Sequence, residues 1–96
     1  MSKWAAPSPV VTVTKGGNKY QAVSATTVFT KVAFGFGATQ LHILNEASTR
    51  CEYSFDGSTV HGTVLNNSSD NSTLAYQTDV WVRLVSGTGT IYVRAY

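Results

Sequence analysis

The sequence predicts an all-β protein: a single compact β-sandwich, jelly-roll or Ig-like, of about eight short antiparallel strands behind an extended N-terminal arm. Three observations predict it. β-Branched and aromatic residues recur in short bursts of alternating polarity. The i, i+3, i+4 apolar spacing of an amphipathic helix appears nowhere along the chain. Clusters of Gly, Asn, Asp and Ser punctuate the bursts at short intervals, as turns do.

Residues 1–9 read as the arm. Pro7 and Pro9 exclude helix and favour an extended path, and nine extended residues span about 30 Å. Lys3 and Trp4 lie inside it. A lone Trp on a polar tail is suited to docking in a neighbour's pocket or folding back on its own domain. Residues 10–96 are the sandwich domain. Candidate strands are 10–14, 19–24, 27–34, 40–45, 50–55, 58–65, 73–76, 79–85 and 90–95. Between them lie Gly16-Gly17-Asn18, Gly35-Phe36-Gly37, Asp56-Gly57, the polar run 66–72 and Ser86-Gly87-Thr88-Gly89.

Alternation assigns the faces. Val28, Val32, Phe34 and Phe36 share one parity, as do Leu41 and Ile43, and Cys51, Tyr53 and Phe55. Val80, Val82 and Leu84 share another, as do Ile91, Val93 and Ala95. These are the expected core residues. Asp56-Gly57 is a type I′ hairpin signal. As a two-residue loop it would pair Tyr53 with Val60 and Glu52 with His61.

Composition narrows the function. The chain is 43% hydrophobic and 12% charged with net charge +2, so its surface leans on Ser, Thr, Asn and Gln. No basic run gives a nucleic-acid footprint, and no apolar run approaches a membrane span. The opening MSKWAAPSPVV has no apolar signal-peptide core, so synthesis in a cytoplasm as a soluble protein is expected. One cysteine, Cys51, excludes an intrachain disulfide and a Cys-based zinc pattern. It falls on the core parity and reads as a packed small hydrophobe.

Several stretches carry chemistry-bearing residues. YSFDGSTVHG, residues 53–62, holds Ser54, Asp56, Ser58 and His61. A catalytic group needs nucleophile and base within hydrogen-bond reach. The expected register puts Ser58 and His61 on opposite faces and uses Asp56 and Gly57 as a structural turn. No catalytic site is assigned. NNSSDNST, residues 66–73, contains three N-x-S/T matches at Asn66, Asn67 and Asn71. Without a signal peptide it reads as a polar surface loop, and the spacing of a calcium loop around Asp70 is missing. His42 and His61 have no accompanying metal ligands, and GFG and GTG lack a phosphate-binding frame. No cofactor or metal is expected.

The closing stretch DVWVRLV-SGTG-TIYVRAY reads as a hairpin with a loop at 86–89. Pairing Leu84 with Ile91, Val82 with Val93 and Val80 with Ala95 makes one face apolar. The other face then pairs Arg83 with Tyr92 and Trp81 with Arg94. Arg, Trp and Tyr are enriched at binding hot spots. Lys3, Trp4, Pro7, Pro9, Trp81, Arg83, Tyr92 and Arg94 are therefore the expected protein-interface residues.

An Ala/Pro-rich arm, a strand ending SFDG, a polar loop and then VWVRLVSGTGTIYVRAY resemble small tailed-bacteriophage virion proteins, over roughly residues 40–96. The resemblance implies a β-sandwich structural subunit in many symmetric copies. Its place would be capsid decoration, head–tail joining (connector or collar) or the tail. Its partners would be the major capsid protein or connector and tail subunits and further copies of itself, with neither nucleic acid nor membrane. Localisation would be the virion, assembled in the host cytoplasm, and no catalytic residue carries over. A carbohydrate-binding β-sandwich is the competing reading, with Trp81, Tyr92 and Tyr96 as a stacking platform. An enzyme is the third, and no constellation supports it.

Overall fold

The computed structural model describes residues 17–96. The expected arm 1–9 and strand 10–14, with Lys3, Trp4, Pro7 and Pro9, lie outside the described residues. Six strands run through the described part. They are β1 (Lys19–Ala25), β2 (Thr30–Asn45), β3 (Cys51–Ser54), β4 (Gly62–Val64), β5 (Ser68–Leu84) and β6 (Gly89–Ala95). No helix appears among these residues. All neighbours are antiparallel, in one sheet of order β1-β6-β2-β5-β3-β4. The all-β expectation therefore holds in this coarser form, one six-stranded sheet where about eight short strands were expected.

The count differs because two expected breaks are bulges inside long strands. Stretches 27–34 and 40–45 join through Gly35-Phe36-Gly37 into the 16-residue β2. The polar run, 73–76 and 79–85 join into the 17-residue β5. Between the pairs Ala33↔Asp79 and Ala38↔Gln77, β2 carries the extra residues; between Ala38↔Gln77 and Gln40↔Thr73, β5 carries them. Gly35 takes φ +86 there without steric cost. Tyr76 takes φ +59, a left-handed conformation that costs a side-chain-bearing residue roughly 1–2 kcal/mol. Gly37 lies close enough that a Cβ would sit 3.1 Å from Tyr76 Cβ.

The paired bulges fold the sheet back over itself. Tyr53 on β3 is opposite Val82 on β5, yet its hydroxyl lies 3.3 Å from Ser72 Oγ. Ser72 and Val82 are ten residues apart on the same strand, about 33 Å if the strand ran straight. One arm of the sheet holds β1, β6, the second half of β2 and the first half of β5. The other holds the first half of β2, the second half of β5, β3 and β4. The Leu84 amide, 2.7 Å from the Thr26 carbonyl, ties the arms at one side.

The core fills the space between the arms. Val23, Leu41, Ile43, Ile91 and Val93 come from one arm, and Val32, Val80, Val82, Leu84, Cys51 and Val64 from the other, all buried. Burial pushes the Cys51 thiol up to about 12, so it stays protonated and inert at neutral pH. Most expected core parities agree. Val28 does not: it is 69% exposed, because residues 26–29 form the connection between β1 and β2 and the strand begins only at Thr30.

Two expected pairings are corrected. β5 and β6 are not neighbours: Val82 pairs with Thr30 and Tyr53, and Val93 with Gln21 and Ile43. Residues 86–89 thus cross between the arms, and β2 occupies the place between β5 and β6. Strand parity states which face is buried and is silent on which strand lies alongside. The β3–β4 register is also shifted by two residues, with Tyr53 opposite Gly62 and Cys51 opposite Val64. A shift of two preserves the face, so Val64 is buried in place of Val60. Gly62 is required by the new register, since a Cβ there would fall 2.3 Å from the Tyr53 ring.

Asn45, fully buried at the end of β2, is the polar centre of this packing. Its Nδ2 donates to the carbonyls of Thr49 (2.8 Å), Val64 (3.2 Å) and Leu65 (3.3 Å), and its Oδ1 accepts from the Ala47 amide at 2.9 Å. One carboxamide thereby joins β2, the 46–49 connection and the end of β4. Asn45→Ala would leave several buried backbone groups without partners, each costing about 1–3 kcal/mol. Urea unfolding of the variant is expected to show a loss of about 2–4 kcal/mol; a change below about 0.5 kcal/mol would refute this role.

Candidate functional site: the two outer faces of the sheet

Each arm has an outer face turned away from the core, and the expected interface quartet is divided between them. Trp81 and Arg83 lie on the β5–β3 arm. Tyr92 and Arg94 lie on the β6 arm. The division follows directly from the insertion of β2 between β5 and β6.

The Trp81/Arg83 face is satisfied within the subunit. Lys31 pairs across from Trp81 and holds its ammonium 5.6 Å from the ring, while also lying 3.8 Å from Asp79. The backbone of Gly57 closes on the same indole, since a Cβ there would stand 3.1 Å from Trp81 Cε2. Arg83 Nε donates to Glu52 Oε1 at 2.9 Å, and its guanidinium sits 4.2 Å from the Phe29 ring centroid. Such half-exposed pairs are each worth about 1 kcal/mol or less. They occupy Arg83 Nε and one face each of the Trp81 and Phe29 rings.

The 54–61 segment is a turn held by side chains. Asp56 Oδ1 accepts from the Ser58 and Thr59 amides, both at 2.8 Å, and from Ser54 Oγ at 2.8 Å. Ser54 Oγ in turn accepts from the Asp56 and Gly57 amides. Gly57 takes φ +88 while Asp56 stays at negative φ, so the turn is not the expected type I′. The connection is longer than two residues, and Glu52 meets Thr63 and Arg83 in place of His61. His61 Nδ1 accepts from the Phe55 amide at 2.9 Å and its ring stacks on Phe55. The serine hydroxyl, the carboxylate and the imidazole thus serve backbone groups, and no serine is hydrogen-bonded to His61 in this arrangement.

The β1–β6–β2 outer face differs. Tyr20 pairs with Arg94, and Arg94 with His42, making one row across three strands. Ala22, Tyr92 and Leu44 make the next. Ser24 and Thr90 make a third, continued by Glu46, whose amide donates to the Thr90 carbonyl at 3.1 Å. Tyr20 and Tyr92 stack diagonally with centroids 6.0 Å apart. Arg94 lies 5.4 Å from the Tyr96 ring. The nearby Glu46 charge raises the Tyr92 phenol above its usual value. Tyr20 is 67% exposed. Among the described residues the ion pairs are Lys31–Asp79 and Arg83–Glu52; Arg94 and Glu46 belong to neither.

The sequence reading missed Tyr20, His42, Leu44 and Glu46 as members of this face. Their parity, opposite to Val23, Leu41 and Ile43, was readable; their adjacency to β6 was not. The stacking platform of Trp81, Tyr92 and Tyr96 is not assembled, because Trp81 belongs to the other face. The polar run 66–72 is largely strand: Ser68–Ser72 pair with Leu41–Asn45, and only the turn at Asn67 (φ +53) departs from it. Among the described residues no three His, Cys, Asp or Glu side chains converge as metal ligands, and no helix is long and apolar enough to cross a membrane. No family model, curated protein or solved structure matches the chain.

The amides of Thr59 and Ser58 and the Ser54 hydroxyl hold the Asp56 carboxyl well below the usual carboxylate range. Its folded pKa is depressed, so the stabilisation is complete above the unfolded value of about 3.9 and is lost as pH falls below it. Melting curves between pH 5 and pH 2 are expected to show a shallower loss for Asp56→Asn than for the wild type. Equal slopes would remove Asp56 as the source.

Proposed function

We propose that this chain is a non-enzymatic structural protein of a tailed-bacteriophage virion, a capsid-decoration subunit held to its neighbours by surface contacts. The observation that carries the reading is the outer face of β1, β6 and β2. Tyr20, Tyr92 and Arg94 are of the residue types that dominate binding hot spots, and they lie in the open beside one another, Tyr96 and Glu46. The groups most suggestive of catalysis, Ser54, Asp56 and His61, are hydrogen-bonded to one another or to the backbone of their own turn.

In this reading the two arms of the folded sheet are the layers of a β-sandwich. The light charge of the chain, 12% of residues, suits a surface covered by partners. A small domain also gains stability by mass action when it assembles. Head–tail connector, collar or tail positions use the same contacts and differ in the partner met. The carbohydrate-binding alternative loses its Trp81 member, which the fold places on the opposite face from Tyr92.

Mass spectrometry of purified particles is the test. The protein is expected at many copies per particle, and Tyr92→Ala combined with Arg94→Ala is expected to lower its occupancy severalfold. Absence from particles, together with binding on a glycan array, would replace this reading with the carbohydrate-binding one.

A further inference from the structure

We propose that the outer face of β1, β6 and β2 is a two-fold self-association surface, packed face to face on the same face of a second copy. The inference rests on the reading of this chain as a repeated structural subunit and names the surface and the symmetry of its contact. The three rows of the face are chemically distinct. The middle row is Ala22, Tyr92 and Leu44; one flank carries the cation Arg94 and the imidazole of His42 beside Tyr20; the other carries Glu46 with Ser24 and Thr90.

A two-fold axis running across the strands through the middle row reverses the strand direction. It lays each flank of one copy against the opposite flank of the other. Tyr92 and Leu44 then meet their own counterparts in an apolar centre. His42 comes opposite Glu46 of the second copy, with Arg94 one strand away, about 4.8 Å to the side. Packed sheets lie about 10 Å apart, a gap that arginine and glutamate side chains span. Both contacts, the Arg94–Glu46 ion pair and the His42–Glu46 approach, occur twice by symmetry, as an isologous interface requires.

The shape agrees with the charge. Tyr20 projects from the cationic flank as an exposed knob. At the level of the other flank a groove of about 300 Å³ is lined by Ser24, Thr26, Thr88 and Thr90, among others. The same two-fold brings Tyr20 to that groove, where the hydroxyls offer partners for its phenol. A uniformly acidic or basic partner would satisfy one flank and repel the other, since like charges placed together cost affinity. A second copy satisfies both.

Sedimentation equilibrium of the full-length chain is expected to show a concentration-dependent dimer. Arg94→Glu and Glu46→Arg should each weaken it by about tenfold or more, and the double variant should recover most of that loss. Both side chains are exposed, so circular dichroism is expected to show folded variants. Lys31→Glu, on the other outer face, is expected to leave the dimer unchanged. A chain that stays monomeric at all concentrations, or a double variant no better than the single ones, overturns the two-fold surface. A monomer in solution that is nevertheless abundant in particles would overturn this surface alone. A rescued dimer absent from particles would instead overturn the virion reading.

Discussion

Two long strands turn a corner together, and the rest of the molecule depends on that bend. β2 and β5 share the longest ladder in the sheet, and each donates a bulge to the other's flank. Neither bulge is useful by itself. An extra residue on one strand alone would splay the ladder, while excess on β2 followed by excess on β5 lets both change direction and stay paired on either side. Gly35 supplies one positive φ freely, and Tyr76 accepts the strain of the other. The strain persists because the contacts on both arms over-determine it.

The bend is also what gives a short chain a core. A flat six-stranded sheet of this length would bury one face against nothing. Folded over, its two inner faces bury each other, and Tyr53 can bond Ser72 across the gap. The seams at the two ends are closed by polar groups. Asn45 links three backbone segments from inside, and the amide of Leu84 finds the carbonyl of Thr26. Buried donors without partners are expensive, so these bonds select one way of closing the fold among those that apolar burial alone would allow.

Folding over creates two outer faces with unequal chemistry. On one, Trp81 and Arg83 are covered by Lys31, Gly57, Glu52 and Phe29. On the other, tyrosines stack in the open between a cationic and an anionic flank. A chain with so few charges places its aromatic residues beside arginine on both faces, yet only on the second do the charged groups lack ion-pair partners among the described residues. That asymmetry is the basis for placing association on the β1–β6–β2 side.

By itself the sequence determined the all-β class, most strand positions and the larger part of the core from Val32 to Ala95, because a period of two assigns each residue to a face; the buried Ala38, Asn45, Ala47, Ser54, Val64 and Leu74 escaped it. It also marked Asp56-Gly57 as a turn and Cys51 as core. It could not tell that Gly35-Phe36-Gly37 bends a strand where Ser86–Gly89 ends one, since both are glycine-bounded runs. Nor could it show that β2 separates β5 from β6. The tertiary structure decided strand order, the two-residue register shift at β3–β4 and the division of Trp81 and Arg83 from Tyr92 and Arg94. Those outcomes turn on which pairing closes the core and satisfies Asn45, a property of the whole sheet that no local alternation carries.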